Sequence, residues 1–268
     1  MRNHEEHRKL ERVEVQIRAI FTYHSIDSSG SPISMAADQL SRQLDWLASG
    51  RVRVVSLAEL VGITDEGDAV ALTFDDGFAN FGEVAAPLLA ERDLRATVFV
   101  SSGHVGGRNS WDANSSVNSI PHLPLLSWNE VRALIAEGFS FGGHGVTHRS
   151  LRGLDRATLH LEIDECSKKI EAQTNVKPDA FAFPYGDFDE WSAAAVAETF
   201  QMACTTALRP LRRGDSPYAL PRIDMYYFRQ MSIGDIWDRR AFYAYVKLRA
   251  AGRFVRASAE RMAGRLSG

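Results

Sequence analysis

The chain has 268 residues, of which 45% are hydrophobic and 24% charged, and its formal net charge is −3. This length suits one large α/β domain, and the near-neutral charge excludes a protein that coats nucleic acid. No run of about eighteen apolar residues occurs, so no membrane-spanning segment is predicted. The two cysteines, Cys166 and Cys204, do not form a Cys-x-x-Cys pair, which argues against a thiolate metal site and a disulfide framework.

The N-terminal residues 1–14 are rich in charges of both signs and lack an apolar stretch. They are predicted to be a charged segment and not a secretory signal. We therefore expect a cytoplasmic protein, peripheral on the inner membrane face if it meets a membrane. The main domain is predicted to cover residues 15–238.

Apolar runs that resemble strands alternate with helical patterns along most of this domain. The predicted strands are 15–23, 52–57, 70–74, 96–100, 139–142, 180–184, 202–205 and 219–223. The predicted helices are 37–47, 81–92, 128–137, 156–173 and 190–199. Ser127 and Glu130 form a capping box that marks the start of the third helix. Such alternation predicts parallel strands with helical crossovers, and thus an α/β barrel or barrel-like sheet.

Residues 239–268 are predicted to be a separate basic helix. Apolar residues keep helical spacing there, and eight arginines and lysines accompany a single acid, Glu260. One interpretation is a terminal helix that packs on the barrel and exposes a basic face to solvent. The other is a peripheral anchor for anionic lipid headgroups.

Polar residues with chemical potential follow several predicted strands. His24 follows the first strand, Asp75 and Asp76 the third, His144 the fifth and Tyr185 the sixth. In α/β barrels the loops after the strands share one face, where active sites are found. These residues are therefore expected to converge.

The pair Asp75-Asp76 is a poor end for a buried strand, because adjacent anions repel. A divalent cation would resolve this by binding one carboxylate and leaving the other free as a base. His144 and His148, four residues apart in a glycine-rich segment, offer two imidazoles for the same cation. Three protein ligands leave positions open for water and substrate, as in catalytic zinc sites. A plain surface turn at Asp-Asp-Gly remains an alternative, as does a non-haem Fe(II) oxygenase, which also uses two histidines and a carboxylate.

Three segments resemble the motifs of the polysaccharide deacetylases (carbohydrate esterase family 4). They are Thr73-Phe74-Asp75-Asp76-Gly77, His144 to His148, and Phe183-Pro184-Tyr185-Gly186. The similarity extends over roughly residues 15 to 225. It implies a distorted parallel (β/α) barrel, one divalent metal ion and removal of N-acetyl groups from N-acetylhexosamines. Zn²⁺ is the expected metal, with Co²⁺, Ni²⁺, Fe²⁺ and Mn²⁺ as alternatives.

The resemblance also implies roles for individual residues. Asp76, His144 and His148 would bind the metal ion, and Asp75 would be the general base for attack by metal-bound water. Tyr185 matches the position whose backbone N–H meets the oxyanion. A general acid is required as well, because an amine leaves poorly unless it is protonated.

The chain departs from the family pattern at three places. Ala182 stands where the family commonly has an arginine that supports the base, and Gly145 stands where Ser or Thr is usual. The late Leu-x-His motif, the usual source of the acid, is missing, and the matching region contains Arg222. His24 resembles the acid histidine of circularly permuted exopolysaccharide deacetylases and is assigned that role, with a structural histidine as the alternative. Arg222 could support Asp75, bind substrate or be a surface charge.

Three residues are candidates for substrate binding, namely Arg222, Pro184 and Trp111, although Trp111 could instead serve packing. The sequence thus predicts a metal-dependent N-deacetylase that acts on an N-acetylated amino sugar in a glycan, a lipid-linked or a nucleotide-linked form. A deformylase or related amide hydrolase and a degenerate barrel that only binds glycan are the alternatives.

Overall fold

The structure is a computed structural model that describes residues 16–65, 67–112 and 120–266. The predicted charged segment 1–14 lies outside the described residues. The strands are β1 (Arg18–Tyr23), β2 (Ser25–Ile26), β3 (Ser34–Met35), β4 (Arg53–Val54), β5 (Ala69–Phe74), β6 (Thr97–Val100), β7 (Ser140–Gly143), β8 (Ala180–Ala182), β9 (Met202–Cys204) and β10 (Ile223–Asp224). The α-helices are α1 (Ala37–Ala48), α2 (Leu57–Gly62), α3 (Ala86–Ala90), α4 (Trp128–Ala136), α5 (Arg156–Thr174), α6 (Glu190–Thr199) and α7 (Arg239–Leu266).

Eight of the strands form one parallel sheet in the order β10-β1-β5-β6-β7-β8-β9, with β4 paired to the start of β5. One short segment near the end of the domain joins the two edges of this sheet. Its Leu220 forms a bridge with Cys204 of β9, and its Ile223 pairs with Phe21 of β1. The sheet is therefore a distorted parallel barrel, as predicted, and the first strand does neighbour the last.

Small side chains on the inner face leave room for a few large ones. Ala71 and Ala180 belong to a buried apolar cluster with Ile20 and Phe99. The phenyl ring of Phe99 needs Gly142, since a Cβ there would lie 2.6 Å from that ring. This cluster fills the lower part of the barrel and leaves polar chemistry to the carboxyl ends of the strands.

Strand alternation aims Asp75 at the inside of the barrel. Side chains two residues apart point to the same face of a strand, so Ala71, Thr73 and Asp75 follow one another upward. All three are buried, and the hydroxyl of Thr73 donates to the carbonyl of Phe21. β5 thus delivers a carboxylate to the mouth directly above its apolar interior.

The helices α4 and α5 cover the outside next to the site. The capping box predicted for α4 is present, because the Ser127 hydroxyl accepts the Glu130 N–H and the Glu130 carboxylate accepts the Ser127 N–H. In α5 the residues Leu159, Ile163, Cys166 and Ile170 form a buried apolar stripe, within which Cys166 is wholly inaccessible. Cys166 therefore behaves as a small core hydrophobe.

Three predicted elements differ from the structure, one of them the strand expected over 219–223, which is reduced to a bridge at Leu220 and the two residues of β10. The expected strand 52–57 is reduced to the two residues of β4, since Ser56 and Glu59 form a capping box that starts α2 at Leu57. The expected helix 81–92 begins as a π-helical turn over Phe81–Ala85 before α3. Pro87, which has no N–H for the preceding turn, stands where the two hydrogen-bond patterns meet.

α7 packs on the barrel through its first turns. Phe242 and Val246 are buried, and the ring of Phe242 lies 4.8 Å from that of Trp237. Further along, the Arg253 guanidinium donates to the carbonyl of Thr206 at 3.1 Å. None of the helices in the described ranges combines the length and apolar character needed to span a bilayer.

Candidate metal centre and active site

Asp76, His144 and His148 come together at the carboxyl ends of β5 and β7. The Oδ1 atom of Asp76 lies 3.1 Å from Nε2 of His148 and 3.4 Å from Nε2 of His144. All three residues are buried, and one ligand atom from each lies within 4.8 Å of the others. Two imidazoles and one carboxylate oxygen that converge in this way form a donor set that suits a single divalent cation.

The backbone bends sharply at both ends of this site. Asp76 has φ 71° and His148 has φ 58°, both in the left-handed region that non-glycine residues rarely adopt. Gly77 follows with φ 70°, and a Cβ there would lie 2.8 Å from a methyl carbon of Val100. This turn points the side chains of the two neighbouring aspartates in different directions, and it is Asp76 that faces His144 and His148. Such strained residues cluster at functional sites.

Hydrogen bonds fix the ionisation of Asp76 and the orientation of His144. Burial works to raise the pKa of Asp76, but hydrogen bonds with His144 and His148 hold that pKa well below its usual value. The Nδ1–H of His144 donates to the carbonyl of Ala182 at 2.7 Å, which turns Nε2 toward Asp76. A hydrogen bond from the other ring nitrogen sets the tautomer of a metal-binding histidine in this way. Ala182 therefore contributes its backbone carbonyl to the site, whatever its side chain.

The neighbouring carboxylate, Asp75, is held by Arg222. The two terminal nitrogens of the guanidinium donate to the two oxygens of Asp75, each at 2.6 Å. Burial tends to raise the pKa of Asp75, but the charge of Arg222 leads the effects that lower it, and the net shift is downward. Arg222 is 1% exposed and also bonds Thr73 and the carbonyl of Thr205. Of the roles considered for Arg222, these contacts favour support of Asp75 over substrate binding, and its burial excludes a surface charge.

His24 faces the same carboxylate from the end of β1. Its Nε2 lies 3.8 Å from an oxygen of Asp75, and its side chain is 25% exposed. Asp224 follows from the neighbouring β10, where it pairs with Thr22. Burial raises the pKa of Asp224, while the nearby His24 acts in the opposite direction. His24 is therefore partly open to solvent and interacts with two acids.

Aromatic rings border the metal triad on the solvent side. The Trp111 ring stacks on the His148 imidazole with centroids 4.4 Å apart, and the Tyr185 ring meets His148 edge-on at 4.8 Å. Tyr185 is half exposed and has φ 59°, in the turn that Pro184 begins. Trp111 thus packs on the site itself, whereas Pro184 is buried in its turn. The loop that carries Trp111 is described only as far as residue 112 on this side.

One acid near the site was not predicted. Glu162 of α5 is 3% exposed, and its carboxylate accepts hydrogen bonds from the segment between the two histidines. A signal for it does exist in the sequence, because Glu162 lies between Leu159 and Cys166 in the apolar stripe of α5. A carboxylate at such a core position requires buried partners.

The mouth of the barrel thus carries a buried donor set for a cation and, beside it, a second carboxylate held by an arginine. This arrangement is typical of metal-dependent hydrolases. The chain belongs to the polysaccharide deacetylase family, whose model matches residues 62–203, more than half of the 268 residues. It is accordingly a hydrolase that acts on amide C–N bonds.

The sequence is similar to two curated proteins. YxkH of Bacillus subtilis (strain 168), whose name assigns it to the polysaccharide deacetylases, is 24% identical over 210 residues, 76% of this chain and 70% of that protein. The poly-β-1,6-N-acetyl-D-glucosamine N-deacetylase of Staphylococcus aureus (strain MSSA476) is 24% identical over 166 residues, 57% of this chain. That match spans 54% of the staphylococcal protein, about half of its length.

Solved structures share the fold. IcaB from Ammonifex degensii superposes with a TM-score of 0.68 at 21% identity, and the match covers 86% of this chain and 97% of IcaB. The Streptococcus pyogenes deacetylase PplD, solved in complex with acetate, gives a TM-score of 0.66 at 22% identity over 78% of this chain and 92% of PplD.

Proposed function

We propose that this chain removes the N-acetyl group from an N-acetylated amino sugar, with a polysaccharide as the principal substrate class. The observation that carries the proposal is the position of Asp75, an ionised carboxylate directly beside the cation-binding triad yet held away from it by Arg222. Names of two relatives, from S. aureus and S. pyogenes, also refer to deacetylation. Lipid-linked and nucleotide-linked sugars are further substrate forms to be tested.

Asp76, His144 and His148 would hold the metal ion. A divalent cation at these ligands supplies two effects, polarisation of the amide carbonyl and a lower pKa for a bound water molecule. Zn²⁺ suits two nitrogen ligands and one oxygen ligand, and Co²⁺, Ni²⁺, Fe²⁺ and Mn²⁺ are alternatives.

Asp75 accepts the proton of the attacking water in this proposal. The Arg222 charge keeps its carboxylate ionised, and the bidentate contact restricts its orientation, so that the base is present before substrate arrives. The backbone N–H of Tyr185 donates to the oxyanion that develops on the carbonyl oxygen, and the left-handed conformation at Tyr185 directs this turn.

His24 donates a proton to the leaving amine. It lies at the end of β1, 3.8 Å from Asp75, with part of its ring open to the mouth where substrate would enter. A general acid must stand within reach of the leaving group, and this position beside Asp75 at the mouth meets that requirement. The amine then leaves neutral, and acetate is the second product.

The variant Asp75→Asn tests this mechanism directly. It keeps the shape of the side chain but removes the base, so acetate release from N-acetylated sugars should be abolished while metal binding is preserved. Glu171→Gln, an exposed acid on α5, is a matched control. An unchanged rate in Asp75→Asn would exclude the mechanism.

The same assay separates the alternatives. A deformylase would release formate from formylated substrates faster than acetate from acetylated ones. A barrel that only binds glycan would retain sugar affinity in the metal-replete wild type and release neither acid.

We further propose a cytoplasmic location with peripheral contact of α7 to anionic membrane. In support, Leu248, Phe254 and Val255 are 67–69% exposed, and Lys247 and Arg249 lie among them on the same helix. Apolar side chains flanked by basic ones suit the surface of an anionic bilayer. The wild-type protein should sediment with phosphatidylglycerol vesicles but not with neutral phosphatidylcholine vesicles. The variant Leu248→Ser/Phe254→Ser should sediment with neither. Equal sedimentation in all cases would contradict the contact.

A further inference from the structure

A carboxylate on the outer helix α5 contacts the segment between His144 and His148. Glu162 lies on the inner face of α5 together with Leu159, Ile163 and Cys166, all of them buried. An ionisable group in such a stripe is costly unless it is fully hydrogen-bonded. Its partners therefore indicate why an apolar residue does not occupy the position.

All of these partners lie between the two metal histidines. One oxygen of Glu162 accepts the backbone N–H of Val146 at 2.8 Å and that of Thr147 at 2.9 Å. The other oxygen accepts the hydroxyl of Thr147. Since His144 and His148 flank these two residues, the carboxylate binds the segment whose conformation sets the separation of the two imidazoles.

The carbonyl groups of the same segment are held from the opposite side by the loop after β6. The carbonyl of His144 accepts the Ser101 hydroxyl at 2.9 Å, and that of Gly145 accepts the Ser102 N–H at 3.0 Å. The Gly103 N–H donates to the carbonyl of Val146 at 2.9 Å. The carbonyl groups of the segment are thus bound by the loop after β6, and its N–H groups are bound by Glu162.

Gly145 makes the approach of Glu162 possible. Its φ is +75°, and a Cβ at this position would lie 3.0 Å from the Glu162 oxygen that binds the two amides. The departure from the family pattern at Gly145 and the buried acid on α5 are therefore parts of one local arrangement.

We propose that Glu162 is a positioning residue for the metal centre, which orders the segment 145–147 so that His144 and His148 are presented to one cation before it binds. This rests on the metal centre of the proposed function but not on its substrate or its proton transfers. Partners that orient ligands in this indirect way typically change metal affinity by about 10- to 100-fold when they are removed.

The experiment measures metal binding by the full chain without substrate. Zn²⁺ affinity of the metal-free protein is determined by calorimetric titration, and the Co²⁺ form gives a visible absorption spectrum that reports ligand geometry. Hydrogen exchange of the Val146 and Thr147 amides provides a third measurement. The variants are Glu162→Ala, Glu162→Gln and Thr147→Val, with Glu171→Gln as the matched control on the solvent face of the same helix.

We expect Glu162→Ala to weaken Zn²⁺ binding by about 10- to 100-fold, to alter the Co²⁺ spectrum and to accelerate exchange at both amides. Glu162→Gln keeps one acceptor oxygen and should restore part of the affinity, whereas Thr147→Val loses a single contact and should change it only a few-fold. Glu171→Gln should match the wild type in all three measurements.

Zn²⁺ affinity within twofold of the wild type in a folded Glu162→Ala protein, with an unchanged Co²⁺ spectrum, would overturn the proposal. If Glu162→Ala does not fold, Glu162→Gln decides, and wild-type affinity with wild-type exchange in that variant overturns it. Failure of this proposal and failure of the proposed function are distinguishable. The role of Glu162 is tested by metal binding, whereas the deacetylase mechanism is tested by acetate release in Asp75→Asn, which keeps its metal ligands.

Discussion

Arg222 binds both oxygens of Asp75 at 2.6 Å, although 147 residues separate the two along the chain. Both side chains are buried, and a charge left without its partner in such a position is strongly destabilising. Arg222→Ala should therefore lower the free energy of unfolding by about 3–5 kcal/mol and reduce acetate release severely. Urea denaturation and the deacetylation assay measure the two effects.

A double-mutant cycle tests the cause of that loss. If an unpaired buried carboxylate is responsible, Arg222→Ala/Asp75→Asn should be more stable than Arg222→Ala alone, since the amide carries no charge. Arg213→Ala, at an exposed position, is the control for loss of an arginine as such. Equal stability of the single and double variants would show that Arg222 stabilises the fold independently of Asp75.

Removal of the metal should lower thermal stability. The buried triad of Asp76, His144 and His148 is assembled only in the folded chain, so cation binding there would add stability that grows with metal concentration, by about 2.7 kcal/mol at 100-fold excess over Kd. Differential scanning fluorimetry of the chelator-treated wild type should show a rise in Tm on addition of Zn²⁺. His148→Ala should show a much smaller rise, and an equal rise in both proteins would place the stabilising cation elsewhere.

The effect of replacing His24 on the rate should depend on the leaving group of the substrate. His24→Asn removes the general acid and should lower kcat for N-acetyl sugars by about 10²- to 10⁴-fold, because an amine needs a proton to leave. An activated aryl acetate, whose phenolate leaves unprotonated, should be affected far less. If both substrates keep their wild-type rates while the protein loses stability, His24 is the structural histidine of the alternative interpretation.

The two cysteines should be unreactive in the native protein. Burial raises the pKa of Cys166 to about 11 and that of Cys204 to about 12, so both thiols are protonated at pH 8. The thiolate is the reactive form, and raising the pH of the native protein toward 10 should increase it only slightly. Ellman's reagent should detect two thiols per chain in denaturant and almost none in the native protein. Rapid native labelling at pH 8 would contradict the packing around these residues.

Strand ends and helical stripes made much of the fold predictable. Asp75, Asp76, His144 and His148 follow strongly apolar runs, so their convergence on one mouth could be inferred from the rule for parallel barrels alone. Closure of a barrel also requires its first and last strands to be neighbours, as β1 and β10 are. Local signals failed where strands are very short, as at β4, where the capping box of Ser56 and Glu59 takes precedence.

Long-range polar contacts were less accessible from the sequence. The role of Arg222 depends on the register of a two-residue strand after Pro221, and its burial could not be distinguished from exposure by pattern. Glu162 pairs with two backbone amides and the hydroxyl of Thr147, so no complementary charge in the sequence points to it. Its place in the apolar stripe of α5 was the available sign, and it became meaningful once the loop against that helix was known.

The stretch that the family model matches, residues 62–203, contains Asp75 and the three residues proposed to bind the cation. His24 precedes that stretch and Arg222 follows it, and both reach the mouth because β1 and β10 lie side by side. Under the proposed function, the cation ligands and the proton donor are thus encoded in separate portions of the polypeptide. A newly made molecule whose first and last strands have not yet paired would then lack both its proton donor and the arginine that holds Asp75.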